Sequence, residues 1–259
     1  MPIHQPELLK YFTFESLDDS GLNHAIFTRH GGISPEPWAS LNVGGTVGDD
    51  PDRVRTNRIR SLKALNCDPS NVYDVWQVHG SEVVYTDSPR DSNKPYIKAD
   101  AIITDRDKVT LFMRFADCVP ILLYDSIRKV ISLVHAGWKG TVDGVVTATV
   151  EAMVKNFQCN SKDILAGIGP SIGPHHYEIG EDVASLVGNA FGPESTGLLI
   201  STNGKIYFDL WSANALLLAR SGVKEIEQSG ICTACHLDDW YSHRAERGKT
   251  GRFGALITL

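Results

Sequence analysis

The sequence predicts a mixed α/β fold in which sheet layers are covered by helices. Three apolar segments, "VTLFMRF", "VPILLYD" and "KVISLVHAG", are nearly unbroken in hydrophobicity, which is typical of strands buried on both faces. Later segments place apolar residues at helical spacing. No repeat, low-complexity tract or Pro/Ser-rich linker divides the 259 residues, so we predict a single domain over residues 1–259.

The first half of the chain is predicted to form short strands. The segments "HAIFTRHGG", "VYDVWQVHG", "EVVYTD" and "ADAIITD" combine β-branched and aromatic residues with Gly, Asp or Pro at their ends. The three apolar segments follow as longer strands. After Gly140 the pattern changes to one helical face, formed by Val142, Val145, Val146, Met153 and Phe157.

The second half predicts two more helices, a hairpin and a closing strand. A second helix is predicted to end at Gly192-Pro193, and its apolar face consists of Val183, Leu186, Val187, Ala190 and Phe191. The segment "LLISTNGKIYFDL" predicts a hairpin with an Asn203-Gly204 turn. A third helix is predicted from about Leu210 to Arg220, and "GALITL" is predicted to be the last strand.

Composition argues for a small ligand. The formal net charge is -6 and 42% of residues are hydrophobic, so the chain can build a full core and has no excess of cations for tracking nucleic acid. The start of the chain lacks a basic leader followed by an apolar region, and no apolar run approaches the roughly 20 residues of a membrane span. We therefore expect a cytoplasmic protein without a nucleic-acid or membrane partner.

The cysteines do not indicate a disulfide framework, because the five of them are irregularly spaced. Cys232-Thr-Ala-Cys235-His236 has the C-x-x-C-H spacing of c-type haem attachment. Covalent haem attachment normally requires export, so we expect no haem here.

Three segments, "WQVHG", "FADCVP" and "LVHAGWKG", each place a metal-binding side chain at the end of an apolar strand: His79, Cys118 and His135. One Cys with two His is a known zinc set that leaves a fourth position open. The same residues allow a metal-free alternative, in which Cys118 and His135 form a nucleophile and base oriented by Asp117 or Gln77. An inert buried Cys118 is the plainest interpretation.

Seven sequence motifs resemble those of a known family. The motifs "FTRHGGIS", "SLNVGGTVGDDPDRVRTNR", "WQVHG", "ADCVPIL", "VHAGWKGT", "GIGPSIGPHHYEIG" and "CTACHLDDWYSHRAERGKTGR" together resemble the YfiH-like laccase-domain family, also known as the multicopper polyphenol oxidoreductase or purine nucleoside phosphorylase family. The resemblance implies a single-domain αββα sandwich, similar to the catalytic domain of cytotoxic necrotising factor toxins. It also implies zinc ligation by His79, Cys118 and His135.

Family membership implies zinc-dependent phosphorolysis of adenosine, inosine, guanosine or methylthioadenosine, with adenosine deamination as a companion activity. An open zinc site suits deamination, because a water with a lowered pKa can attack the purine C6 carbon. One alternative is peptidoglycan editing, a zinc amidase reaction that releases L-serine from UDP-MurNAc-L-serine. Another is polyphenol oxidation by copper, for which nine His are few. A non-enzymatic binding role is the fourth possibility.

Residues within the family motifs are candidates for substrate contact. Arg29, Lys139 and Arg244 are candidates to bind phosphate. Asn42 and Tyr177 are candidates to bind sugar hydroxyls or stack on a base, and Asp117 is a candidate to orient a ligand or a water. We expect Cys118, Asp117 and Arg29 to act in catalysis. Four other potential metal ligands have no assigned role: His175, His176, Cys232 and Cys235. We expect Cys232 and Cys235 to lie outside the primary metal site.

Overall fold

The computed structural model describes residues 2–5 and 9–259. Within these ranges the strands are β1 (Ile3–His4), β2 (Tyr11–Phe12), β3 (Asn23–Phe27), β4 (Val72–Tyr73), β5 (Val83–Tyr85), β6 (Ala101–Thr104), β7 (Thr110–Phe115), β8 (Val119–Asp125), β9 (Val130–Ala136), β10 (Ile164–Ile168), β11 (Glu178–Ile179), β12 (Leu199–Thr202), β13 (Lys205–Phe208), β14 (Glu225–Gln228) and β15 (Phe253–Thr258). The helices are α1 (Glu15–Asp19), α2 (Pro51–Ala64), α3 (Trp138–Val142), α4 (Val145–Phe157), α5 (Glu181–Phe191), α6 (Ser195–Leu198) and α7 (Leu210–Arg220).

Two large sheets form the centre of the described structure. The first has the six-strand order β1-β2-β3-β15-β7-β4, and the second has the six-strand order β14-β10-β8-β9-β6-β5. A small sheet, β11-β13-β12, lies outside them. The last strand, β15, pairs antiparallel with both β3 and β7, so the predicted closing strand lies inside its sheet.

The second sheet is covered on both faces, as its apolar sequence predicts. Every residue of β8 and β9 is buried. Side chains alternate along a strand, so Val119 and Ile121 of β8 pack on one face while Leu122 and Tyr124 pack on the other. The pattern of nearly unbroken apolar residues therefore has a simple cause in the two-sided core.

Each sheet carries helices on its outer face. Residues of α4 and α7, such as Met153 and Leu218, share a core cluster with Val119 on the outer face of the second sheet. Leu62 of α2 packs with Phe27 on the outer face of the first sheet. Phe12, Phe253 and Leu122 belong to the cluster between the sheets. The layers therefore form the αββα sandwich that the resemblance implies.

The predicted elements of the second half match the structure closely. Helix α7 spans Leu210–Arg220, and the Asp209 side chain caps it by accepting a hydrogen bond from the Ser212 amide at 3.0 Å. The β12–β13 hairpin turns at Asn203 and Gly204, both with positive φ, as a type I′ turn requires. In α5 one residue of the predicted apolar face, Leu186, remains 45% exposed.

Two predicted elements are shorter than expected. Val142 lies in α3, and α4 begins separately at Val145 after Gly144, whose φ is 80°. In "VYDVWQVHG" only Val72–Tyr73 forms a strand. The amides of residues 78–80, at the end of this segment, donate to the buried Asp100 carboxylate and not to a neighbouring strand. No helix of the described residues has the length and apolar character needed to cross a membrane.

Candidate metal centre

Three separate segments bring His79, Cys118 and His135 together. His79 lies in the loop after β4, Cys118 lies in the turn between β7 and β8, and His135 lies on β9 opposite Pro120 of β8. One potential ligand atom from each of the three lies within 4.8 Å of the others. The rings of His79 and His135 meet edge to face, with centroids 4.9 Å apart. We call these three residues the ligand triad.

Asp100 orients two members of the ligand triad. Its buried carboxylate contacts His135 Nδ1 at 2.7 Å and accepts a hydrogen bond from the His79 amide at 3.0 Å. The amides of Val78 and Gly80 donate to the same carboxylate. A carboxylate at Nδ1 favours the tautomer with a free lone pair on Nε2, the usual support for a histidine ligand. Asp100 was not predicted from the sequence, where its only signal is an acidic residue just before an apolar strand.

The side chains of Cys118 and His135 shift each other's pKa values. Burial opposes ionisation of Cys118, but the neighbouring His135 and His79 lower the pKa of its thiol to about 6. Burial likewise disfavours the charged form of His135, but Cys118 and Asp100 raise its pKa to about 9. A thiolate at neutral pH is the form of cysteine that binds metals and acts as a nucleophile. Both the metal and the metal-free interpretations of the sequence therefore fit this group.

The backbone around the ligand triad is tightly constrained. His79 and Asp117 have positive φ values of 61° and 80°, an uncommon conformation for residues other than glycine. At Gly137 an added Cβ would lie 3.1 Å from both Cys118 Sγ and His79 Cδ2. Glycine at this position therefore lets the chain after β9 pass directly against two triad side chains.

An aromatic and cationic surface adjoins the ligand triad. The guanidinium of Arg244 lies 5.0 Å from the centre of the Tyr177 ring. Burial lowers the pKa of Arg252, while the charges of Cys118 and Asp117 partly offset this effect. Burial also lowers the pKa of His243, and Arg252 and Arg244 lower it further. We call Tyr177, His243, Arg244 and Arg252 the arginine rim.

Asp117, which was expected from the sequence to orient a ligand or a water, accepts a hydrogen bond at each carboxylate oxygen. One of its carboxylate oxygens accepts a hydrogen bond from Thr233 Oγ1 at 2.7 Å, and the other accepts from the Arg244 amide at 2.6 Å. These bonds tie the turn before β8 to two loops of the C-terminal segment. Asp117 therefore holds the wall of the site, while Asp100 is the carboxylate that orients the ligands.

Arg29 and Asn42 are committed to internal bonds. Arg29 donates to the carbonyls of Ala39 and Leu237, and its Nη1 lies 3.2 Å from a carboxylate oxygen of Glu246. It lines a surface pocket whose described lining does not include the ligand triad. Asn42 is fully buried, and its side chain bonds Gly44, Asp49 and the Arg252 amide. This differs from the sugar contact expected for Asn42, because a buried and saturated amide has no free group to offer.

Lys139 lies on the exposed surface, whereas Tyr177 is partly buried. Lys139 is exposed on α3 and forms an ion pair with Asp143, one helical turn away. This arrangement is that of a solvated surface pair, and the phosphate contact of Lys139 stays a prediction. Burial raises the pKa of Tyr177, and the charge of Cys118 raises it further, so Tyr177 is within electrostatic reach of the ligand triad.

The fold and the ligand triad define an αββα sandwich protein with a candidate three-ligand metal centre. A family model described as multi-copper polyphenol oxidoreductase laccase matches residues 23–259, and the chain belongs to this family. The crystal structure of the Bacillus licheniformis hypothetical protein YfiH has a TM-score of 0.92 and 31% identity, covering 100% of this chain and 99% of that one. This family membership confirms the resemblance found in the sequence motifs.

Two other relatives carry enzyme names. A Deinococcus radiodurans protein named purine nucleoside phosphorylase is 38% identical over 239 residues, which is 91% of this chain and 88% of that protein. A Bacteroides thetaiotaomicron protein of the same name is 32% identical over 256 residues, 95% of each chain. These relatives are similar over almost their whole lengths.

Proposed function

We propose that the protein is a zinc-dependent purine nucleoside phosphorylase that also deaminates adenosine, and that it acts on small molecules in the cytoplasm. The observation that carries the proposal is the position of the ligand triad beside the arginine rim. A metal centre next to guanidinium groups and an aromatic ring offers sites for a phosphate and for a purine. The names of the similar Deinococcus and Bacteroides proteins support the same activity.

The donor set of the ligand triad fits zinc. One thiolate and two imidazoles are a known catalytic set, and they leave one position of a tetrahedral ion open to solvent or substrate. His79 is exposed and Cys118 is half-buried, so the group can be reached from outside. When bound, the ion would supply a Lewis acid at this position. Asp100 would keep the His135 ring in the orientation that exposes Nε2.

Phosphorolysis requires a phosphate close to the ribose C1 carbon. Its oxygen forms the new bond to C1 as the bond from C1 to the purine nitrogen breaks, and the purine leaves with the electron pair and takes up a proton. We assign Arg244 and Arg252 to hold the phosphate through the N–H groups other than Nη1, because the Nη1 atom of each donates to backbone carbonyls. We assign Arg29 a structural role, in which its bonds to the Leu237 carbonyl and the Glu246 carboxylate hold the C-terminal loops that contain these two residues.

The purine is assigned to the Tyr177 side of the arginine rim. An aromatic ring under a guanidinium offers a flat surface on which a base can stack. The phenol of Tyr177 is neutral over the physiological range, as a tyrosine with its ordinary pKa of about 10 would be, and burial raises that pKa further. It can therefore donate a hydrogen bond to a purine or sugar oxygen.

The test is a comparison of adenosine turnover with and without phosphate, using protein whose metal content is known. We expect adenine and ribose-1-phosphate only when phosphate is present, and inosine under both conditions. Cys118→Ala should abolish both reactions because it removes a zinc ligand. Adenine release that is independent of phosphate, or activity that survives in Cys118→Ala, would overturn the proposal.

The same protein should be offered the substrates of the other enzyme classes. Release of L-serine from UDP-MurNAc-L-serine without nucleoside turnover would assign the ligand triad to amidase chemistry. Oxidation of phenols only after copper loading would assign the chain the activity that its family description names. Turnover of nucleosides alone supports the phosphorylase proposal.

A further inference from the structure

A second group of potential metal ligands lies outside the ligand triad. It consists of His175, His176, Cys232 and Cys235, and one ligand atom from each lies within 4.8 Å of the others. Two neighbouring loops supply the group, one following β10 and the other following β14. Ser171 and Cys232 form a parallel bridge between these loops. Both cysteines of the C-x-x-C-H motif, Cys232 and Cys235, therefore lie beside His175 and His176 in the folded protein.

The distances within this group suit a single tetrahedral ion. His175 Nε2 lies 3.0 Å from Cys235 Sγ, and His176 Nδ1 lies 3.5 and 3.6 Å from Cys232 Sγ and Cys235 Sγ. Zinc bonds of about 2.0 Å to nitrogen and about 2.3 Å to sulfur place such atoms about 3.5 Å apart around one ion. The two distances from His176 Nδ1 therefore match this spacing, and all four ligand atoms lie within 4.8 Å of one another.

The backbone of both loops positions the four side chains. The Gly173 amide donates to Cys232 Sγ at 3.1 Å, which orients this sulfur. A turn brings the two cysteines together, because the Cys235 amide donates to the Cys232 carbonyl at 3.2 Å. A second turn, in which the His176 amide donates to the Gly173 carbonyl at 3.0 Å, presents the two histidines.

We propose that these four residues bind a structural zinc ion that is separate from the catalytic one. Two thiolates and two imidazoles complete a tetrahedral zinc site, so no position remains open for a substrate. The ligands come from two loops that no regular strand or helix holds at these positions, and a shared ion would fix the loops to each other. Closure of all four positions distinguishes this site from the ligand triad.

The second site adjoins the wall of the first. Thr233, between the two cysteines, donates to the Asp117 carboxylate at 2.7 Å, and Asp117 immediately precedes the triad residue Cys118. Tyr177 of the arginine rim immediately follows His176. An ion in the second site would therefore position both Tyr177 and the turn before β8. This metal site requires no particular reaction at the ligand triad, so it is independent of the proposed function.

Zinc stoichiometry tests the inference. Protein that is loaded with zinc and desalted should contain about two ions per chain, and Cys118→Ala and Cys235→Ser should each contain about one. The combined variant should contain none. Cys67→Ser is the matched control, because Cys67 is a cysteine outside both groups, and it should keep the full metal content.

Cobalt provides a measurement that does not depend on activity. The Cys118→Ala protein loaded with cobalt(II) should show thiolate-to-metal absorption and the intense d–d bands of tetrahedral coordination. His175→Ala, which removes an exposed side chain, should weaken these bands in the same background without unfolding the protein. A full complement of only one zinc per chain in the wild-type protein, with none in Cys118→Ala, would overturn the proposal. A disulfide between Cys232 and Cys235 that persists when zinc is supplied under mild reductant would overturn it too.

Discussion

Replacement of Asp100 by Asn tests whether a buried carboxylate builds the ligand triad. The change keeps the shape of the side chain but replaces one acceptor oxygen by an NH₂ group. One carboxylate oxygen of Asp100 serves His135 Nδ1 and the His79 amide, and the other serves the amides of Val78 and Gly80. Whichever way the Asn side chain turns, its NH₂ group faces donors that had an acceptor in Asp100.

The magnitude follows from these contacts. Each buried donor left without an acceptor costs about 1–3 kcal/mol. In the less costly orientation the Asn NH₂ group faces His135 Nδ1, which can accept in the other tautomer, and only the His79 amide loses its acceptor. The unfolding free energy should therefore fall by about 1–3 kcal/mol, and the melting temperature by at least about 2 °C. Loss of a carboxylate behind a histidine ligand typically weakens metal binding by about 10- to 100-fold.

The assay is a zinc competition titration against a chromogenic chelator, carried out with thermal unfolding of the same samples. Asp107→Asn is the matched control, because Asp107 lies in an exposed turn between β6 and β7. We expect it to match the wild-type protein in both measurements. A folded Asp100→Asn protein that bound zinc within about twofold of the wild-type affinity would refute the role of Asp100 as an orienting residue.

Gly137→Ala should weaken zinc binding about tenfold, because the added Cβ would lie 3.1 Å from Cys118 Sγ. Gly188→Ala is the control and should not weaken it, because nothing lies within 4 Å of an added Cβ there. Equal zinc affinities of the two variants in the chelator titration would contradict this prediction. Arg252→Ala should slow phosphorolysis about 10²- to 10³-fold without changing zinc content, and an unchanged rate of phosphate-dependent adenine release would remove it from the phosphate site. Arg29→Ala should lower the unfolding free energy by about 2–4 kcal/mol in urea titrations, since it loses bonds to two carbonyls and a carboxylate; unchanged stability would count against its structural role. In metal-free protein, alkylation of Cys118 should rise with pH to a plateau with a midpoint near 6, because the neighbouring imidazoles outweigh burial and lower the pKa of its thiol to about 6. A midpoint at the ordinary thiol value would disprove that coupling.

Much of the fold could be predicted from local patterns. Helix α7 and the β12–β13 hairpin depend on signals within a few residues, namely apolar periodicity and the Asn203-Gly204 turn. The burial of β8 and β9 on both faces follows from their unbroken apolar sequence. The strand predicted through "VYDVWQVHG" was wrong beyond Tyr73, because the distant Asp100 carboxylate accepts the amides of residues 78–80.

The site divides in the same way. The sequence by itself indicated His79, Cys118 and His135 as potential metal ligands, because one cysteine and two histidines have the chemistry of a zinc site with an open position. It also determined the family, through motifs that are contiguous in the chain. Only the tertiary structure decided which carboxylate orients the ligands, since Asp117 is adjacent in sequence to Cys118 but bonds Thr233 and Arg244, while Asp100 reaches His135 across 35 residues. Only the tertiary structure shows that Arg29 and Asn42 form internal hydrogen bonds. Only the tertiary structure brings His175 and His176 close to Cys232 and Cys235. The physical reason is that hydrogen bonds and ligand clusters depend on distances in space, which strand pairing between remote segments sets and local sequence does not.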